Sequence, residues 1–214
     1  MYNRILVAID GSDYSLTGGD IALRIAEAFG AKVFATNVYD AQIHTRRFHE
    51  MESILPGQYR EEGTEEQLRE VHNVWTNEGF LALSKQRLAP YLETCRNAGV
   101  EPIEVNRQGR NYVEILKAAE ETEADLIILG AAGIGAVDGQ WGSTAARVLR
   151  MANCDVLLAR RMPENGGILV GIDGSEEAER ALAAAEQWAR TFSKQITLGA
   201  VYDPYFHNRV LESL

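Results

Sequence analysis

Ile5-Leu6-Val7-Ala8-Ile9-Asp10-Gly11-Ser12 is a run of five apolar residues that breaks into an aspartate, a glycine and a serine. The run has strand length and no polar alternation, the pattern of a strand covered by helices on both faces of its sheet. Behind it, Ile21, Ala22, Ile25, Ala26 and Phe29 share one helical face, and Gly30 is placed as the C-terminal stop. Lys32 to Tyr39 reads as a second strand. Strand, helix and strand in this spacing make a right-handed parallel crossover.

The opening stretch returns as Ile168-Leu169-Val170-Gly171-Ile172-Asp173-Gly174-Ser175. The match runs on without a gap, so that Val38-Tyr39-Asp40 falls on Val201-Tyr202-Asp203 and His44 on His207. We expect a complete domain over residues 1–161, a turn-prone linker over 162–167 with Pro163, Gly166 and Gly167, and the N-terminal part of a second, incomplete copy over 168–214. So small a second unit is expected to lean on the first domain or on another chain.

Within the first domain, Leu81, Leu88, Leu92 and Cys95 mark a helix ending at Gly99, which Pro90 is expected to kink or split. Ile103 and Val105 suggest a third strand; Tyr112, Ile115, Leu116 and Ala119 share a helix face; Ala124 to Leu129 is a fourth strand. Ser143 opens a helix carrying Ala146, Val148 and Leu149, and Val156 to Ala159 is a fifth strand. The alternation predicts an α/β fold with a doubly wound parallel sheet, in which ligands sit at the carboxyl ends of the strands. Residues 41 to about 79 break the alternation. There Thr45 to Leu55 looks helical, and Thr64-Glu65-Glu66-Gln67 reads as a capping box before Leu68, Val71 and Trp75. This inserted helical segment leaves the end of the second strand, where a lid or docking flap is one reading and a local flap with a small core of its own is the other.

With 31 Asp and Glu against 21 Lys and Arg, the chain repels phosphate backbones, and it has no compensating basic run. Nucleic acid is not an expected partner. The longest apolar stretch, Leu126 to Val137, is too short for a membrane span, and no charged-then-apolar leader precedes Ile5, so we expect a cytoplasmic protein without a membrane partner. Cys95 and Cys154 lack CxxC spacing and read as small core residues. His44 and His49 are five apart and share no helix face; with His72 and Glu50 they offer neither a thiolate nor an HExxH pattern, and no metal ligands are assigned.

The segment that points to chemistry is Gly130-Ala-Ala-Gly133, followed by Gly142-Ser143-Thr144. Glycines after a buried strand let backbone amides approach a ligand, and hydroxyls at a helix start join N–H groups that already point outward. The combination makes a phosphate cradle, although such loops also occur for packing.

Taken with Ile5 to Ser12, the run Ala124-Asp125-Leu-Ile-Ile-Leu-Gly130-x-x-Gly133, then Gly142-Ser143, Ala145-Ala-Arg147-Val-Leu149 and Cys154-Asp-Val-Leu-Leu-Ala159, this chain resembles the universal stress protein family over residues 1 to about 161. The resemblance implies a Rossmann-like five-stranded sheet in the order 3-2-1-4-5. Family members with the glycine loop bind ATP or related nucleotides, which implies ATP, ADP or AMP here, with Mg2+ or Mn2+ held by the phosphates. It implies phosphate contacts at Gly130, Gly133, Gly142, Ser143 and Thr144, and adenine or ribose contacts near Ala8, Ile9, Asp10 and Val38. It also implies a homodimer or an internal pairing through residues 155–159. In one respect the chain departs from the family: Ile134 to Trp141 is one residue shorter than the usual spacing between the second and third glycines.

Asp10 has two readings, as a partner for a ribose hydroxyl or metal-bound water and as a cap for the following helix. For function, a nucleotide-binding sensor in stress response or signalling stands beside a nucleotide-independent interaction module of the same fold. An adenylyl or phosphoryl transferase lacks support, since there is no Walker lysine, no SGGxDS loop and no HxGH pair. Slow ATP hydrolysis is the most enzymatic reading these residues allow.

Overall fold

A computed structural model describes residues 2–52, 54, 64–133, 141–161 and 166–201. The shortened glycine spacing, the start of the linker and His207 lie outside the described residues. The chain forms two compact units, Tyr2–Met162 and Pro163–Leu214.

In the first unit the elements follow as β1 (Arg4–Ala8), α1 (Asp13–Phe29), β2 (Lys32–Tyr39), α2 (Ala41–Glu52), α3 (Thr64–Asn97), β3 (Ile103–Gln108), α4 (Asn111–Glu121), β4 (Leu126–Gly130), α5 (Ser143–Met151) and β5 (Asp155–Ala159). The strands form one parallel sheet in the order β3-β2-β1-β4-β5. This is the predicted doubly wound fold. The chain order reverses between β1 and β4, so the loops leaving these two strands separate and open a crevice at their carboxyl ends.

The uninterrupted apolar runs of β1 and β4 are buried because both faces are covered: Ile5, Leu6, Val7, Ile127 and Ile128 are inaccessible to solvent. On one face Leu6, Phe34, Ile127 and Leu129 pack with Ile115 and Ala118 of α4 and with Ala145 and Val148 of α5. On the other face lies α1, whose Gly18 sits against Ile128 and whose Gly19 admits the ring of Tyr91: a β-carbon at Gly19 would lie 2.7 Å from that ring. Ser12 caps α1 by accepting from Ser15 N at 3.2 Å. Gly30 ends the helix in the left-handed conformation at φ 68°, donating to Ala26 O at 2.8 Å, as its position in the sequence predicts.

Two features are narrower than the sequence reading allowed. Pro90 does not split its helix: α3 runs unbroken through it, joining the Leu68–Val71–Trp75 segment to the Leu88–Leu92–Cys95 segment. Pro90 and Gln86, four residues earlier, are both exposed, so the carbonyl that loses its N–H partner faces solvent. The buried face of α5 is Ala145 and Val148, whereas Leu149 is 48% exposed and Ala146 only half-buried. Among the described residues no helix is long and apolar enough to cross a membrane.

The second unit repeats the opening motif as β6 (Ile168–Gly171), α6 (Glu176–Phe192) and β7 (Ile196–Gly199), with β6 and β7 parallel. Ser175 caps α6 as Ser12 caps α1, accepting from Ala178 N at 3.1 Å.

Candidate functional site

A cavity of about 630 Å³ opens at the carboxyl ends of β1, β2 and β4. All nine residues singled out in the sequence, Ala8, Ile9, Asp10, Val38, Gly130, Gly133, Gly142, Ser143 and Thr144, line it. Topology alone brings them together: β1 supplies the first group, β2 supplies Val38, and the β4–α5 connection supplies the rest.

The floor is partly apolar, from Ala8, Val38, Ile115 and Leu129. Within it lies Thr36, in register with Ala8 on one side and Val105 on the other. Its side chain is fully buried, and its Oγ1 has no hydrogen-bond partner. A buried hydroxyl is ordinarily paired, because leaving it unpaired costs about 1–3 kcal/mol. The adjacent Asn37 also lines the cavity: its Nδ2 donates to Ile9 O at 2.6 Å, while its buried Oδ1 has no partner.

Asp10 reconciles the two readings of the sequence. Its Oδ1 accepts from Ser12 N at 2.9 Å and from Ser12 Oγ at 2.6 Å, so it positions the capping serine rather than capping α1 itself. Its Oδ2 faces Gly133, where a β-carbon would stand 2.8 Å away. Asp173 makes the same pair of bonds to Ser175, at 3.0 and 2.6 Å, which hold its carboxyl below the usual carboxylate range. The Asp–Ser turn is thus structural in both units, and the approach of Gly133 is specific to the first.

Gly130 is sterically required, since a β-carbon there would lie 2.9 Å from Ser15 N and from Tyr14 Cβ and 3.0 Å from Ala132 O. Gly142 anchors the far end of the loop by donating to Ala131 O at 2.9 Å and is the N-cap of α5. Unlike α1 and α6, α5 has no side-chain cap. The amides of its first turn therefore carry no intrahelical partner, at the end of the helix where the dipole favours an anion.

Sequence reasoning missed Thr36, Asn37, Arg87, Asn111 and Trp141, which complete much of the polar lining. Two adjacent polar residues inside the apolar strand Val33 to Val38 were the available signal for Thr36 and Asn37. Arg87 is one of several charges on an exposed helix face and gave none. None of the described residues of 41–79 lines this cavity.

Neither cysteine reaches the cavity, and burial pushes both thiols up from their ordinary range. Among the described residues no three His, Cys, Asp or Glu side chains gather as a metal site. Among the described residues the cavity lining holds a single carboxylate, Asp10, so a divalent cation held by these residues would depend on ligand phosphates for most of its coordination.

Fold and crevice together define an α/β protein of the doubly wound class with a glycine-lined site at its switch point. The universal stress protein family model matches residues 1–160, and the chain belongs to that family. Staphylococcus aureus proteins carrying the universal stress protein name are 28% identical over 162 residues, spanning 74% of this chain and 84% of theirs. A universal stress protein structure from Archaeoglobus fulgidus DSM 4304 superposes with a TM-score of 0.64 at 20% identity, covering 99% of this chain and 71% of that one. The universal stress protein UspA from Lactobacillus plantarum gives a TM-score of 0.50 at 24% identity, over 74% of this chain and 98% of that one. These likenesses concern the fold.

Proposed function

We propose that the protein binds an adenine nucleotide, with ATP the reference ligand, in the cavity at the ends of β1, β2 and β4, and acts as a nucleotide-dependent sensor within the stress-related family to which it belongs. The observation that carries this reading is that the floor of Ala8 and Val38, with Thr36 buried beneath it, and the uncapped start of α5 line one cavity. A ligand with a polar-edged planar group at one end and an anion at the other answers both. The base would lie over Ala8 and Val38 with a polar edge toward Thr36 Oγ1, the ribose near Asp10, and the phosphates against Gly130, Gly133, Gly142, Ser143 and Thr144. Magnesium would travel with the phosphates and neutralise part of their charge.

The site is built for holding rather than turnover. Among the described residues Asp10 is the lining's only carboxylate, and it is tied to Ser12, which leaves none of them placed as an efficient general base. The output we propose is altered pairing through β5, an edge strand of the sheet whose backbone is open on one side.

Titration calorimetry with ATP and Mg2+, on chain freed of co-purified nucleotide, tests the reading. Saturable one-site binding is expected. A folded chain that takes up no nucleotide would leave the interaction-module reading in its place.

A further inference from the structure

A second cavity, of about 1290 Å³, adjoins the first and shares Asn111 and Thr144 with it. Arg46 of α2, Arg110 at the N-cap of α4 and Arg147 of α5 all line it, together with Asn73, Asn77 and Gln108. Two carboxylates, Asp40 and Glu50, are also present, so among the described residues the lining carries a net positive charge in a chain whose formal net charge is −10. Among the described residues neither Arg46 nor Arg110 forms an ion pair, and Arg147 lies over the ring of Tyr112 at 5.0 Å. Three guanidiniums from three separate elements thus meet at one concavity, where Asp40 and Glu50 offset part of their charge.

We propose that this second cavity is a polyphosphate subsite, which takes phosphoryl groups beyond the third of a nucleotide held in the first cavity. The proposal rests on the nucleotide reading and extends it: the preferred ligand is a nucleoside polyphosphate longer than a triphosphate. Geometry supplies the path. Thr144 lies at the phosphate end of the first cavity and also lines the second, and Arg147 is one helical turn further along α5, a rise of about 4.5 Å. A phosphate chain leaving the α5 amides past Thr144 and Asn111 therefore enters the arginine-lined space. Guanidinium groups suit it, because their forked donors match phosphate oxygens. The inserted segment gains a purpose by the same argument, since it contributes Thr45, Arg46, Glu50, Asn73 and Asn77 to this wall, and none of its described residues lines the first cavity.

The test is calorimetry on the full chain at fixed ionic strength with Mg2+, comparing ATP with adenosine 5′-tetraphosphate, in wild type and in the double variant Arg46→Gln/Arg110→Gln. Both arginines are exposed and Arg110 caps α4 through its backbone alone, so the variant keeps the fold, as its circular dichroism and melting curve will show. Wild type is expected to bind the tetraphosphate about tenfold more tightly than ATP, the effect of roughly one added charge-assisted contact. In the double variant that ratio falls to about one while ATP affinity changes less than about twofold. Equal affinities in wild type, or a preference that survives in the variant, overturn the proposal while leaving nucleotide binding intact. Inorganic tripolyphosphate separates the two readings. If ATP fails to bind but tripolyphosphate binds wild type and not the variant, the anion subsite stands and the nucleotide reading falls; if neither binds, both fall.

Discussion

Thr36 is the residue on which ligand and fold make opposite demands. Its hydroxyl is buried without a partner, so it lowers the stability of the free protein, and in the proposed complex the edge of the base would settle toward it. Thr36→Val keeps the shape and removes the unpaired group. We expect it to raise unfolding free energy by about 1 kcal/mol in denaturant titrations and to weaken ATP about fivefold by calorimetry. Lower stability with unchanged ATP affinity would mean that the hydroxyl serves the fold alone. Gly133 is under the opposite constraint. A β-carbon there meets Asp10 Oδ2 at 2.8 Å, so Gly133→Ala should push the loop from Asp10 and reduce affinity at least about tenfold, read by the same titration.

At the scale of elements, the two Asp–Ser turns are one device with different surroundings. Ser12→Ala removes the α1 cap, and with it the hydroxyl bond to Asp10 Oδ1 while the backbone N–H bond stays, so it should cost about 1 kcal/mol of stability and weaken nucleotide binding as well. Ser175→Ala removes the α6 cap without touching the cavity, and ATP affinity should stay unchanged. It should also let the Asp173 carboxyl rise toward its ordinary range, measurable by NMR titration. Because the folded carboxyl is held low, its stabilising contribution is present above the ordinary carboxylate range and disappears as pH falls through the lowered folded value. The strands, α1 and the glycine loop were legible in the sequence because unbroken apolar runs, helical spacing and glycine stops each have one reading. The phase of α5 was not: Ala145, Ala146, Val148 and Leu149 lie so close on a short helix that packing against α4 decides which pair is buried. Nor was the continuity of α3, since whether Pro90 breaks a helix depends on which way Gln86 faces. Thr36 looked like a strand residue, and its lack of a partner exists only in three dimensions.

For the whole molecule, every described residue that lines either cavity lies within Tyr2–Met162, one of the two compact units. A chain ending at Arg161 is therefore predicted to unfold cooperatively and to bind ATP within about twofold of the full chain. Failure of that fragment to fold would mean the second unit contributes to the stability of the first. The most direct measurement remains calorimetric titration of ATP with Mg2+ into nucleotide-free full-length chain beside Gly133→Val. Saturable one-site binding in wild type, lost in a variant with an unchanged melting curve, is the predicted result; a folded wild type that binds no nucleotide, or binding undiminished by the valine, would contradict the assignment of this cavity.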